Sequence, residues 1–240
     1  MLDWNGPVTE VLTLATMEAA ASHTMLSFKT THDGSVVFKD IEVRCNVFGP
    51  SVLGTLELSE RTVDVKTGET VMFTGSAANL RTIVLTLAQN WPWGSGTIAL
   101  PADADTLFLS RDTWLPEESI GSVLEYPDDP RTDNMEVYRK ALKTVGLERL
   151  SEQLEKPFRW DRLLNHEDQM RLSFARLLIR RPRCVVMDDT FEGLDTQTAA
   201  ALCSILREQF APTTLYFGTS QVFLDSFSPR VIEIRGKELQ

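Results

Sequence analysis

Two neighbouring carboxylates, Asp188 and Asp189, close the apolar run Cys184-Val185-Val186-Met187. Adjacent acids at the carboxyl end of a buried strand form a candidate metal site. Far upstream, Thr70-Val71-Met72-Phe73-Thr74 runs into Gly75, and Leu80 to Asn90 is apolar at helical spacing. Strand, glycine turn and helix in that order make a phosphate-binding loop, where backbone N–H groups surround an anion and a basic residue reaches it. Gly75, Arg81 and Thr82 are the candidates for that work, Arg81 as phosphate ligand and Thr82 as a hydroxyl for the metal. The simpler alternatives are a tight turn with no ligand at Gly75 and a solvated or arginine-paired acid pair at Asp188 and Asp189.

Elements that must position these groups can be read from periodicity. Val36 to Val65 is a series of short β-rich runs with turn residues between them, which predicts an antiparallel β-subdomain. Strands are expected at Thr97 to Leu100, Thr106 to Ser110, Cys184 to Asp189 and Thr214 to Gly218, and helices at Met135 to Gln153, Asp168 to Arg180 and Thr196 to Phe210. Pro182 stops the second of these helices. Strands alternating with helices define an α/β fold with a parallel central sheet. At the N-terminus Val8, Val11, Leu12, Ala15 and Ala19 share one side of an expected amphipathic helix. The division is residues 1–30 as helix and linker, then 31–240 as one domain, with a helical subdomain at about 112–180.

Composition narrows the function classes. With 240 residues and 42% hydrophobic content the chain can bury a full core without disulfides. Its net charge of −10, from 24 Lys+Arg against 34 Asp+Glu, opposes a phosphate backbone, so no nucleic-acid partner is expected. Cys45, Cys184 and Cys203 lie far apart, as reduced structural thiols do. No run approaches the length of a membrane span. The expected location is the cytoplasm, with peripheral attachment at the inner face of a membrane as the other option.

The landmarks from Gly68 to Ile234 resemble the nucleotide-binding domain of ABC transporters. Phe174-Ala175-Arg176-Leu177-Leu178, Arg181-Pro182-Arg183, the Asp188-Asp189 strand and Gly193-Leu194-Asp195 match that family in order and spacing. The element Trp91-Pro92-Trp93-Gly94-Ser95-Gly96 is similar to the subclass of fatty-acyl and peptide-uptake half-transporters. The resemblance implies an ABC-type P-loop NTPase fold: a parallel sheet, an antiparallel β-subdomain and a helical subdomain.

It also implies drift in the chemistry. Gly75 to Thr82 keep the length of GxxxxGK[ST], but Leu80 replaces the last glycine and Arg81 the lysine; a register shortened by one residue would instead place Leu80 at the lysine. Arg111 stands where the family has a metal-contacting glutamine. The signature LSGGEQ reads Leu164-Asn165-His166-Glu167-Asp168-Gln169, so Asn165 replaces its serine and Glu167 presents a carboxylate to a triphosphate. That repulsion is on the order of 1–4 kcal/mol at about 4 Å. Asp189 is one methylene shorter than the family's glutamate base, and Thr219 replaces the switch histidine. A positional error near 1 Å costs about 10²-fold in rate.

The resulting expectation is a degenerate, catalytically impaired pseudo-ATPase serving as a regulatory or interaction subunit of a transporter-like assembly. It would bind Mg-ATP weakly or not at all, and would pair with itself, with an ABC ATPase or with a membrane transporter domain. The alternative is a slow but working ATP-binding subunit that drives transport.

Overall fold

A computed structural model describes residues 25–46, 53–111, 115–126, 128–131, 134–209 and 211–238. The expected N-terminal helix lies outside these residues. The β-rich part comprises β1 (Ser27–Thr31), β2 (Val36–Asn46), β3 (Leu53–Leu58), β4 (Thr62–Val65) and β6 (Gly94–Pro101); β5 (Thr70–Thr74) precedes helix α1 (Ala77–Leu87). Then follow β7 (Thr106–Ser110), α2 (Ile120–Glu125), α3 (Met135–Thr144), α4 (Trp160–Leu163) and α5 (His166–Arg180). The chain closes with β8 (Cys184–Asp188), α6 (Thr196–Gln209), β9 (Thr213–Phe217), α7 (Gln221–Phe227) and β10 (Arg230–Glu238).

Ten strands form one mixed sheet in the order β1-β6-β2-β3-β10-β5-β9-β8-β7, with β4 on β2. Strand β10 is the join. Its first residues, Arg230 to Glu233, pair in parallel with β5, and Ile234 to Glu238 pair antiparallel with β3. Strands β5, β9, β8 and β7 continue in parallel, as alternation with helices requires. The antiparallel pairing of β2 with β3, β4 and β6 is present, and the folded domain reaches further back than residue 31: Leu26 is buried and β1 joins the edge in parallel with β6 from Ser27 onward.

Strand β2 shows why the Trp91 to Gly96 element has its composition. Val36 and Phe38 face the core; then a bulge with Asp40 at φ 50° resets the alternation, so that Ile41, Val43 and Cys45 also face inward. A Cβ on Gly94 would sit 2.1 Å from the Glu42 carbonyl oxygen, and one on Gly96 2.3 Å from that of Asp40. Glycine alone lets β6 lie against the bulge. The Trp91 indole N–H donates to the Arg44 carbonyl at 2.8 Å, and the Arg44 N–H donates to the Trp93 carbonyl at 3.0 Å. These tryptophans fasten β6 to β2.

Two apolar cores flank the sheet. One gathers Phe38, Phe73, Leu80, Ile83 and Phe217 between the β-subdomain and α1, with Phe73 stacked on Phe217 at 4.5 Å. Such a stack adds about 1 kcal/mol beyond its buried area. The other packs Tyr138, Trp160, Met170, Phe174 and Phe223 around α2 to α7. The stretch expected as one helix from Met135 to Gln153 is broken: α3 stops at Thr144, Gly146 takes φ 79°, and a 3₁₀ turn covers Glu148–Gln153. Cys45, Cys184 and Cys203 are free and buried, and burial pushes the thiols of Cys45 and Cys203 up to about 11.

Candidate functional site

Gly75, Asp188 and Gly218 all stand at the carboxyl ends of neighbouring parallel strands, the edge where α/β sheets gather their ligands. A cavity of about 560 Å³ opens there. Its lining brings together Gly75, Arg81, Arg111, Asp188, Asp189 and Thr219, six residues that were singled out from sequence, and adds Glu192. Asn165 and Glu167 are not in the lining.

The turn at Gly75 is shorter than its sequence implies. Helix α1 starts at Ala77, with Ser76 as its N-cap, so only Gly75 and Ser76 separate strand from helix. The Asn79 N–H donates to Ser76 Oγ at 3.3 Å, and the Leu80 N–H donates to the Ser76 carbonyl at 3.0 Å. Both amides are used inside the protein. Thr82 falls in the second turn of the helix and its hydroxyl donates to the Ala78 carbonyl at 3.0 Å. Leu80 is buried at 5% exposure in the core. The eight residues from Gly75 to Thr82 are therefore mostly helix.

Asp188 is half-buried at the end of β8; burial raises its carboxyl above the usual range and the Arg81 guanidinium pulls it back. Asp189 takes φ 47°, held by its N–H donating to the Phe217 carbonyl at 2.8 Å. Its carboxyl is pushed up to about 6, first by burial, then by a hydrogen bond to Glu192 and by the charges of Glu192 and Asp188, with Arg111 opposing. Glu192 is held below its ordinary value by that same bond and by Arg111. Arg111 Nη1 meets Glu192 Oε2 at 2.5 Å, and the Arg111 N–H donates to the Asp188 carbonyl at 3.1 Å. Arg111 is thus paired within the cavity. A Cβ on Gly218 would lie 2.8 Å from the Tyr216 hydroxyl and 3.0 Å from Asp189 Oδ1, so glycine leaves room for both groups.

The signature-like segment caps a helix. Asn165 Oδ1 accepts from the Asp168 N–H at 2.8 Å, which satisfies a first-turn donor of α5. Glu167 Oε1 accepts from Arg171 at 2.8 Å, one turn on. Arg171 also donates to the Val145 carbonyl and to Thr198 Oγ1, both at 2.9 Å, tying α5 to α3 and α6. His166 Nε2 lies 3.2 Å from the Glu192 carbonyl, so it braces the segment after β8. Thr219 is exposed at the cavity rim.

Glu192 was missed from sequence. Its only signal is a carboxylate three residues after Asp189 and just before Gly193; the partner, Arg111, lies 81 positions away.

No family model matches the chain. An uncharacterised ABC transporter ATP-binding protein of Haemophilus influenzae is 28% identical over 185 residues, 77% of this chain and 30% of that protein. The inner membrane ABC transporter ATP-binding protein YddA of Escherichia coli is 30% identical over 162 residues, 65% of this chain and 28% of its own length. The human lysosomal cobalamin transporter ABCD4 is 26% identical over 194 residues, 75% of this chain and 32% of that one. The chain spans about a third or less of the length of these relatives. In structure it is similar to a bacterial Atm1-family ABC exporter with ATP bound, at a TM-score of 0.62 and 16% identity, over 90% of this chain and 41% of the exporter. The fold is that of an ABC ATPase domain, and the relatives support an ABC transporter ATP-binding domain. Among the described residues no helix is long and apolar enough to cross a membrane.

Proposed function

We propose that this chain is a catalytically impaired ABC-type domain, a pseudo-ATPase of the P-loop class that acts as a regulatory or interaction subunit of a transporter-like assembly. One observation carries the reading: helix α1 begins two residues after β5, and Ser76 takes up the Asn79 and Leu80 amides. Arg81 lines the cavity with Asp188 and its charge lowers that carboxyl, and Arg111 holds Glu192, so the site's cations act on its own carboxylates. The relatives' names supply the setting, ATP-binding proteins of ABC transporters, and the chain's partners are then a second copy, an ABC ATPase or a membrane domain. The half-transporter subclass rests on the Trp91 to Gly96 element.

Calorimetric titration of the folded protein with Mg-ATP tests this, with Arg81→Ala and Asp188→Ala as controls. No heat at millimolar ATP and no phosphate release above background is the expected result. Micromolar binding lost in either variant, or turnover lost in Asp189→Asn, would replace this reading with that of a slow but working ATP-binding subunit.

A further inference from the structure

The arginines of α5 differ in how their charge is answered. Arg171 is tied to Glu167, to the Val145 carbonyl and to Thr198. Arg176 and Arg180, one turn apart further along the helix, turn instead to the end of α2. Arg176 Nη2 donates to the Tyr126 carbonyl at 3.3 Å; Arg180 Nη1 donates to the same oxygen at 3.2 Å and to the Glu125 carbonyl at 3.0 Å. The two guanidiniums therefore converge on one point. That of Arg176 also lies 5.6 Å from the centre of the Tyr126 ring.

Capping the last carbonyls of a helix uses one nitrogen of each arginine and leaves the charge unbalanced. Among the described residues Arg180 pairs with Asp128 at 3.0 Å, a carboxylate that is 70% exposed, and Arg176 pairs with none. Arg176 is half-buried, and its Nε is buried without an acceptor. Burial and the charge of Arg180 lower its guanidinium from the ordinary value. A half-buried cation set beside another cation calls for a counter-anion. Between Asp168 and Asp188 the chain holds five arginines and no acid, so the local charge runs against the net −10. Guanidinium forks match anions that offer several oxygens, and two forks from successive turns suit a double charge better than a single one.

We propose that Arg176 and Arg180 hold a small tetrahedral oxyanion of the phosphate class beside Tyr126. None of these residues lines the cavity at the carboxyl edge of the sheet, so the site is separate from that one and stands whether or not nucleotide binds there. An anion shared by the two arginines removes their mutual repulsion and fastens the end of α2 to α5. Asp128 competes for Arg180 and weakens the site.

The test is a titration of the full chain, without nucleotide, with inorganic phosphate at constant ionic strength, read by thermal unfolding and by the Nε–H resonance of Arg176. Binding with a dissociation constant of about 1 mM is expected, with a higher melting temperature and a shift of that resonance. Acetate should produce neither. Arg176→Gln and Arg180→Gln should each weaken binding about tenfold, and Arg180→Gln carries the reading alone if Arg176→Gln fails to fold. Arg139→Gln, the same change of charge on α3, should leave the affinity unchanged. Asp128→Asn should tighten binding about threefold, an effect that arginines acting only as helix caps would not show. No binding at about 20 mM phosphate, an equal response to acetate, an affinity unmoved in Arg180→Gln or in Asp128→Asn, or a loss in Arg139→Gln would each overturn the proposal.

Discussion

Arg111 and Glu192 meet at 2.5 Å across the carboxyl edge of the sheet, joining the end of β7 to the segment that follows β8. Both side chains are about half exposed, so the pair adds little to stability. Its weight is local and electrostatic: Arg111 holds down both Glu192 and Asp189.

Replacing Arg111 by glutamine should therefore leave the melting temperature nearly unchanged and move the titration of Asp189 above its value near 6. Carboxyl-carbon NMR against pH reads that midpoint directly. A midpoint that stays or falls would mean that Arg111 exerts no field on the acid pair.

Asp189 also makes stability depend on pH. Its folded value near 6 lies above the unfolded 3.8, so the folded state binds the extra proton between those values. Stability from this group is then full below about pH 4 and is lost as the pH rises through 6. Asp189→Asn keeps a donor for Glu192 and removes the cost of ionisation. It should stabilise the protein by about 1 kcal/mol at pH 8, after solvent screening of a partly exposed group, and by nearly nothing at pH 4. Denaturant curves of both proteins at both pH values cancel the other titrations; a gain of equal size at pH 4 would refute the assignment.

Periodicity located what local pattern determines. The strand Thr106 to Ser110 has those bounds in the structure, and Asp188 closes the buried strand β8, with Asp189 just beyond it at φ 47° rather than within the strand as expected. The errors come where a short-range signal competed with a motif. Ser76-Ala77-Ala78 is an N-cap followed by two strong helix formers, yet the length of a phosphate loop pushed the expected helix start to Leu80. Asn165, weighed as a signature residue, is no such error: it stands at the N-cap of α5, a placement that leaves that reading open to test. The break after α3 was written in Gly146. Glu192 belongs to another class: its partner is brought near only by the parallel pairing of β7 with β8, which no local pattern encodes.

If the shortened turn is the defect, restoring the basic residue will not repair it. Arg81→Lys should give no more heat with Mg-ATP than the parent, because residue 81 lies in the helix, after the Asn79 and Leu80 amides have bonded to Ser76. Leu80→Lys should also fail, and should cost about 2 kcal/mol by placing an ammonium at a site that is 5% exposed. Micromolar ATP binding in either variant would show that side-chain identity, not loop length, had removed the function.

The glycines after Trp93 carry a prediction about the fold itself. Gly94 takes φ 153°, a region that residues with a Cβ avoid, and an added methyl would meet the Glu42 carbonyl oxygen at 2.1 Å. The obstacle is backbone on a central strand, so relief requires β6 and β2 to part, and both belong to the apolar core on α1. Gly94→Ala should cost about 3 kcal/mol, from strained backbone and lost pairing together. Ser95→Ala, one residue on in the same strand, should stay within about 0.5 kcal/mol. Thermal unfolding of the two variants side by side separates register from composition: equal small losses would mean that the bulge at Asp40 yields, and that β6 does not depend on glycine there.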